Sequence, residues 1–410
     1  MIHLKPLKST YLFLFFFMNF QLISCAQRTS VQSSQINVQS SQQLHITTGA
    51  ERTDLYLNLL KGKNVAIVGN QTSVIEKRGK NQPAVHLVDS LLALQINIIK
   101  VFAPEHGFRG KADAGEIIKD GFDTKTGLPI ISLYGNNKKP SEDQLKGIDV
   151  VVFDIQDVGA RFYTYISTLH YVMEACAALN IKVIILDRPN PNGHYIDGPV
   201  LEIAHKSFVG MHKVPVVYGM TIGEYGKMIN GEKWLPNKLI CDLKVIPLEN
   251  YTHQTAYSLP VKPSPNLPND KSINLYPSLC FFEGTTVSAG RGTAMQFQIY
   301  GAPFLAKNEF SFTPQANEGA KYPKYKNELC FGEDLRSAKK RSHLDLSFLI
   351  KAYKQNSSKE FFNTFFTNLA GTKKLQQQIE QGLTSEEIRK TWKVAIEAFK
   401  LVREQYLMYD

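Results

Sequence analysis

The amino-acid sequence predicts an α/β protein: a Rossmann-like, doubly wound parallel sheet domain followed by a second α/β domain finished by helices. Three observations carry that reading. Short unbroken apolar runs recur through the first half, KNVAIVGN at Lys63–Asn70 and DVVVFDI at Asp149–Ile155 being the clearest. Segments of helical spacing separate them. Past Pro236 the texture becomes proline- and glycine-rich, and from His343 the apolar spacing is helical. Strands covered on both faces lose their in-out alternation, so continuous apolar runs mark a parallel sheet sandwiched between helices.

Taken in order, Lys5 and Lys8 precede an apolar run at Tyr11–Phe17, extended by Met18, Asn19 and Phe20. A positive start and a short apolar core form a secretory signal. The run is shorter than the ~20 residues a spanning helix needs. Leu22-Ile23-Ser24-Cys25 follows where cleavage should fall and resembles the bacterial lipobox. Residues 1–25 therefore read as a lipoprotein signal with Cys25 lipidated, which anchors a chain without spanning the membrane. An ordinary signal with an incidental cysteine is the competing reading. The expected location is the bacterial cell envelope, at the periplasmic or outer-membrane face. Residues 26–52, rich in Gln and Ser, have too little apolar content to bury a core and read as a flexible tether. Order is expected from about Thr53.

The first domain is expected over residues 53–235. Its strands are Lys63–Asn70, Ile96–Ala103, Pro129–Tyr134, Asp149–Ile155 and Ile181–Asp187, and its helices Pro83–Gln95, Ser141–Lys146 and Ile166–Leu179. Ser141 is placed to cap its helix. No GxGxxG follows the first strand, where Gly69-Asn70-Gln71-Thr72 stands instead, so a dinucleotide cofactor is unsupported. The second domain is expected over residues 236–410. It opens with a strand at Leu239–Pro247 and an extended loop at Leu259–Pro268, which holds four prolines. Thr384-Ser385-Glu386-Glu387 has capping-box form ahead of an amphipathic helix reaching Tyr406.

Composition narrows the function. Hydrophobic residues make up 43% and charged residues 20%, an ordinary globular balance. The formal charge of +10 is spread along the chain, without a dense basic run interleaved with aromatics, so nucleic acid is not an expected partner. Cys176, Cys241, Cys280 and Cys330 are too widely spaced for a metal framework and read as buried free thiols. No metal or other cofactor is expected.

Ligands of open parallel sheets bind beyond the carboxyl ends of the strands. Three such segments hold chemistry. They are Pro104-Glu105-His106-Gly107-Phe108-Arg109-Gly110, Gln156 to Tyr165 with Asp157, Arg161 and Tyr163, and Arg188-Pro189-Asn190-Pro191-Asn192-Gly193. Asp154 and Asp187 border the last two, and Glu283 and Arg291 repeat the mixture in the second domain. Carboxylates move protons and hold hydroxyls, arginines clamp carboxylates bidentately, and aromatics offer faces to a sugar ring. Each residue also has a structural reading. Glu105 and Arg109 can pair, Asp154 can orient an arginine, Asp187 and Arg188 can brace a turn, and Glu283 can pair with Arg291.

Five strings, PEHGFRG, DIQDVGARFYTY, LDRPNPNG, PSPNLP and FFEGTTVSAGRGT, resemble the exo-β-N-acetylmuramidase family, formerly a family of unknown function. The resemblance runs from about Gly62 to the C-terminus. It implies a Rossmann-like domain and a C-terminal domain with a cleft between them, and a hydrolase that removes N-acetylmuramic acid from the non-reducing end of peptidoglycan fragments. It implies Glu105 as the catalytic residue, which glycoside hydrolysis assigns as general acid/base, and the adjacent His106 is expected to tune or orient it. The second catalytic group stays open among Asp154, Asp157, Glu283 and the substrate's own acetamido group. Arg109, Arg161, Arg188 and Arg291 compete to read the lactyl carboxylate, while Tyr163, Asn190 and Asn192 are candidates for hydroxyls or the sugar face. A non-catalytic peptidoglycan- or sugar-binding envelope lipoprotein is the chief alternative. A solute-binding protein and a nucleotide enzyme rank behind it.

Overall fold

Unbroken apolar stretches need cover on two sides, and helices supply it. The structure, a computed structural model, describes residues 45–76, 83–109, 120–307, 309–356 and 360–410. Helix α1 (Thr53–Leu60) leads into β1 (Val65–Gly69), and the antiparallel pair β2 (Val74–Ile75) and β3 (Val85–His86) precedes α2 (Leu87–Ala93) and β4 (Ile98–Ala103). Next come β5 (Gly121–Phe122), β6 (Pro129–Ser132), α3 (Glu142–Leu145), β7 (Val150–Asp154), α4 (Tyr165–Ala178), β8 (Lys182–Leu186), α5 (Ile222–Gly231) and β9 (Leu243–Ile246). The second half holds α6 (Asp270–Leu279), β10 (Ile299–Ala302), β11 (Ser311–Phe312), β12 (Cys330–Asp334), α7 (Ser347–Gln355), α8 (Phe365–Ala370), α9 (Lys374–Glu380) and α10 (Ser385–Glu404).

The main sheet has seven strands in the order β5-β6-β4-β1-β7-β8-β9. All pairs are parallel except β5 with β6. The chain builds outward from β1 through β4 to β6, then returns to lay β7, β8 and β9 on the other side. That reversal puts a topological switch point at the carboxyl ends of β4, β1 and β7.

Alternate residues of each central strand feed two cores. Val65, Ile67, Val150 and Val152 pack with Tyr56 and Leu60 of α1 and Leu87 and Leu91 of α2. Ala66, Val68, Val151 and Phe153 pack with Leu169, Val172 and Met173 of α4 and Tyr225 and Met228 of α5. Each large apolar side chain so enclosed is worth about 1.5–3 kcal/mol over exposure. The doubly wound arrangement expected from the sequence is therefore present.

Three expectations change. Pro83–Gln95 is not one helix: Val85–His86 pairs with β2 first, and the His86 ring accepts from Val88 N as the cap of α2. The stretch at Leu239–Pro247 does not open a second domain. Its core, β9, is the sixth parallel strand of the first sheet, because Val183 to Leu186 of β8 offer a free edge in register with Leu243 to Ile246. The boundary expected at residue 235 therefore falls too early. Order also begins before Thr53. Thr47 exchanges backbone hydrogen bonds with Glu249 at 3.1 and 3.0 Å, Gly49 N donates to Asp187 O at 2.9 Å, and Ile46 and Ala50 are buried. Two apolar side chains and a capping box between Thr48 and Glu51 suffice to dock this segment. The signal, Cys25 and the rest of the tether lie outside the described residues.

The second half adds a three-stranded antiparallel sheet, β10-β12-β11, and a run of helices. Its core is continuous with the α4–α5 side of the first. Phe162 joins them, its ring edge-on to Tyr276 at 5.4 Å and to Phe281 at 5.7 Å. Cys176, Cys241, Cys280 and Cys330 are buried and free.

Candidate active site

The switch-point loops and the second half enclose a cavity of about 280 Å³. Glu105 and His106 enter it from the turn after β4. That turn is tight: Gly107 N donates to Pro104 O at 3.0 Å, and His106 and Gly107 have φ of 72° and 74°. A histidine in the left-handed region stores strain, and such residues cluster at functional sites.

Two hydroxyls hold the Glu105 carboxylate. Thr164, the last residue before α4, donates Oγ1 to Glu105 Oε2 at 2.9 Å. Tyr134, just past β6, hydrogen-bonds the same side chain, and its phenol is pushed up chiefly by burial and then by the Glu105 charge. Both residues line the cavity. The segments that follow β6, β4 and β7 thus converge on one carboxyl group.

The opposite contribution comes from the second half. Glu283, at the end of a short 3-10 turn (Cys280–Gly284), and Arg291 both line the cavity. Arg291 Nη1 donates to Glu283 Oε2 at 3.3 Å and Nη2 to Gly319 O at 3.2 Å. Lys324 anchors the turn beneath by donating to Phe282 O and Thr285 O at 2.7 Å each. Ser264 and Asn266 from the proline-rich loop supply further polar groups, while Tyr163, Tyr276, Phe297, Phe208, Phe365 and Leu369 supply apolar wall. Tyr163 is fixed by donating to Pro263 O at 2.8 Å.

Of the residues singled out from the sequence, Glu105, His106, Tyr163, Glu283 and Arg291 meet at this cavity. The others do not line it. Asp154 and Arg188 are buried against each other, Arg188 Nε to Asp154 Oδ1 at 2.6 Å and Nη2 to Oδ2 at 2.9 Å. Burial alone would depress the Arg188 guanidinium, but the Asp154 carboxylate more than offsets this and holds it charged. Arg109 pairs with Asp123 at 2.7 Å and lies over the Phe108 ring, so it does not serve Glu105.

Arg161 is fully buried and donates to four carbonyls: Pro199 and Val214 at 2.7 Å, Leu369 at 3.0 Å and Ala370 at 2.8 Å. The last two close the C-terminus of α8, so this cation caps a helix whose Phe365 and Leu369 line the cavity. Burial lowers its pKa to about 9. Asp187 braces the start of α5 and the C-terminal tail, accepting from Gly223 N at 2.8 Å and from Thr221 and Tyr409 hydroxyls at 2.7 Å each.

Asn190 and Asn192 stitch loops. Asn190 Nδ2 donates to Met220 O at 2.8 Å and Asn192 Nδ2 to Val158 O at 2.9 Å. Gly159 (φ 75°) lets them approach, since a Cβ there would sit 2.2 Å from Asn190 Oδ1. Asp157 is buried behind the site, accepting from Gly159 N at 2.7 Å and from the Tyr218 hydroxyl. Burial raises its carboxyl to about 7, against the hydrogen bonds from Tyr218, Gly159 and Val158.

Sequence reasoning missed Tyr134, Thr164, Ser264, Asn266 and Tyr276. Tyr134 carried a usable signal, because it ends the third strand of the same switch-point series. Thr164 stands inside a string already singled out, and Ser264 and Asn266 inside the proline-rich one.

Comparison with known proteins follows the same outline. Residues 65–271 match the family model described as exo-β-N-acetylmuramidase NamZ, N-terminal, and residues 274–409 its C-terminal counterpart. The chain is 36% identical to the peptidoglycan β-N-acetylmuramidase NamZ of Bacillus subtilis (strain 168), over 86% of this chain and 89% of the relative. Two crystal structures of DUF1343 family proteins from Bacteroides fragilis NCTC 9343 are similar. One is 47% identical with a TM-score of 0.82, covering 90% of this chain and 99% of the other. The second is 28% identical with a TM-score of 0.74, covering 89% and 99%.

Proposed function

The chain belongs to the exo-β-N-acetylmuramidase family, and from that membership and its cavity we propose an exo-acting glycoside hydrolase that releases N-acetylmuramic acid from the non-reducing end of peptidoglycan fragments. The observation that carries the chemistry is Glu105, held by Thr164 and Tyr134 on a cavity that also holds Glu283 and Arg291. The volume of about 280 Å³ lies at the lower end of small-molecule sites and suits one terminal sugar rather than a chain passing through.

Glu105 protonates the glycosidic oxygen as the bond to the anomeric carbon breaks, and as a carboxylate it then takes a proton from the water that completes hydrolysis. Glu283 is the second carboxylate, since Asp154 and Asp157 do not line the cavity. It either meets the developing positive charge or orients the acetamido group that does. Arg291 reads the lactyl carboxylate, being the guanidinium that lines the cavity and of a kind that clamps carboxylates. Tyr163 and Tyr276 give the ring its apolar wall.

Product analysis on a muramic-acid-terminated disaccharide tests this. Release of free N-acetylmuramic acid is expected. Binding of the disaccharide without turnover would select a non-catalytic wall-binding protein instead.

The address is a further part of the proposal. The signal layout and the Leu22-Ile23-Ser24-Cys25 string support lipid attachment at Cys25, and the Gln/Ser-rich stretch supports a tether that lets the enzyme reach wall fragments from the membrane. Replacing Cys25 with alanine should move the protein from the membrane to the soluble fraction and leave its turnover intact. Membrane retention in that variant would contradict the anchor.

A further inference from the structure

The mouth of the cavity has an apolar side. Among the lining residues Tyr134, Phe208, Val209 and Phe365 keep part of their surface exposed, whereas Tyr163 and Tyr276 are buried. Phe208 and Val209 stand at the tip of a tight turn, in which Ser207 N donates to Gly210 O at 2.9 Å and Gly210 N to Ser207 O at 3.0 Å. The Phe208 ring lies beside that of Tyr134, with centroids 6.4 Å apart, and nearly parallel to that of Tyr171 at 6.2 Å.

The loop that starts at Tyr134 brings Lys138 to the same place. Asn137 fixes this loop by donating Nδ2 to Ser132 O at 2.7 Å, and Gly135, at φ 69°, turns it. The Lys138 ammonium stands 4.9 Å from the centroid of the Phe208 ring. Its chain neighbour Lys139 takes Glu174 at 2.9 Å, but among the described residues no carboxylate pairs with Lys138. A ring face steadies a cation and leaves its charge whole. Lys206 and Lys139 both stand close enough to His170 of α4 for their charges to act on it, so the surroundings are positive. Tyr134 hydrogen-bonds Glu105 and borders Phe208, so the rings of Tyr134 and Phe208 bridge from the Glu105 carboxyl to this cation.

We propose that the saccharide's reducing end leaves along this side of the mouth, where Phe208 and Phe365 border the leaving N-acetylglucosamine and Lys138 binds the lactyl carboxylate of the muramic acid beyond it. That assignment rests on the reading of the cavity as the seat of the terminal muramic acid. In a glycan that alternates the two sugars, the second from the non-reducing end is neutral and the third carries a carboxylate. An apolar rim followed by an unpaired ammonium repeats that order. Arg291 lines the cavity and serves the terminal sugar, whereas Lys138 does not line it and serves a longer chain. An ammonium donates to a carboxylate through a charge-assisted bond, and its contact with the Phe208 face leaves N–H donors for one.

The test compares a tetrasaccharide alternating N-acetylmuramic acid and N-acetylglucosamine with one of equal length whose third sugar is N-acetylglucosamine. Wild type should favour the alternating chain in kcat/KM by about five-fold, the scale of one good ion pair at a surface. Added salt should shrink that preference. Lys138→Met keeps an apolar stem over Phe208 and should bring the ratio to about one, with turnover of the muramic-acid-terminated disaccharide unchanged. Lys138→Arg should retain the preference. A wild type without it, or a Lys138→Met variant that keeps it, overturns the assignment. So does an equal loss on the disaccharide, which would put Lys138 on the terminal sugar. Failure of the hydrolase reading looks different: wild type then cleaves none of the three. In that event titration with the two tetrasaccharides still decides. Tighter binding of the alternating chain that is lost in Lys138→Met supports the assignment, and no such preference in wild type overturns it.

Discussion

Thr164 donates its hydroxyl to Glu105 across 2.9 Å, joining the start of α4 to the turn after β4. With Tyr134 on the same carboxylate, the side chain is held from two directions at the switch point. Thr164→Val and Tyr134→Phe each remove one donor and leave the cavity walls nearly unchanged. Each should lower kcat by about ten-fold, the scale of one charge-assisted hydrogen bond. Steady-state kinetics on a muramide checks this, and full activity in both variants would show that Glu105 needs no such support.

Asp154 and Arg188 make a buried pair that does not line the cavity. Asp154→Ala strands the guanidinium, so the expected loss is about 3–5 kcal/mol of stability. Asp154→Leu combined with Arg188→Met should recover most of it. Urea unfolding of the single and double variants measures both effects. A single variant as stable as wild type would contradict the structural role.

Asp157 gives a pH dependence with a definite sign. Its carboxyl is raised from 3.8 to about 7 by burial, so the folded chain holds this proton more tightly than the unfolded chain. The stabilisation is complete below about pH 4 and is lost as pH rises through 7. Between pH 5 and pH 7.5 it should fall by roughly 2 kcal/mol, and Asp157→Asn should flatten that part of the profile. Denaturant unfolding across this range reads the slope, and an identical slope in both proteins would rule the residue out as its source.

Arg291 is the arginine that reaches the cavity, where Arg109, Arg161 and Arg188 do not. Arg291→Ala should reduce kcat/KM for a muramide by about 1.5–3 kcal/mol, ten-fold or more, while affecting a glucosaminide far less. Equal losses on the two substrates would mean that Arg291 supports Glu283 rather than reading the lactyl group.

The strands were legible because parallel strands buried on both faces must be written as unbroken apolar runs. DVVVFDI became β7 and IKVIILD became β8 almost residue for residue. What decided β9 was not local: Leu243–Ile246 looks like any short strand, and only the unfilled edge of β8 assigns it to the first sheet. The site divided along a similar line. Glu105 and His106 were findable from their place after a strand. Arg161 was not, because an arginine near an acidic loop reads as a ligand binder until the carbonyls of Leu369 and Ala370, some two hundred residues away, are seen to occupy it. Pairings of that range leave no trace in local spacing.

In the proposed mechanism Glu105 supplies the proton for glycosidic cleavage. Glu105→Gln keeps the size of the side chain and its contact with Thr164 but has no acidic proton to give. On a disaccharide with an N-acetylglucosamine leaving group, kcat should fall by about 10³-fold or more with the unfolding transition unchanged. Turnover within ten-fold of wild type would contradict the account.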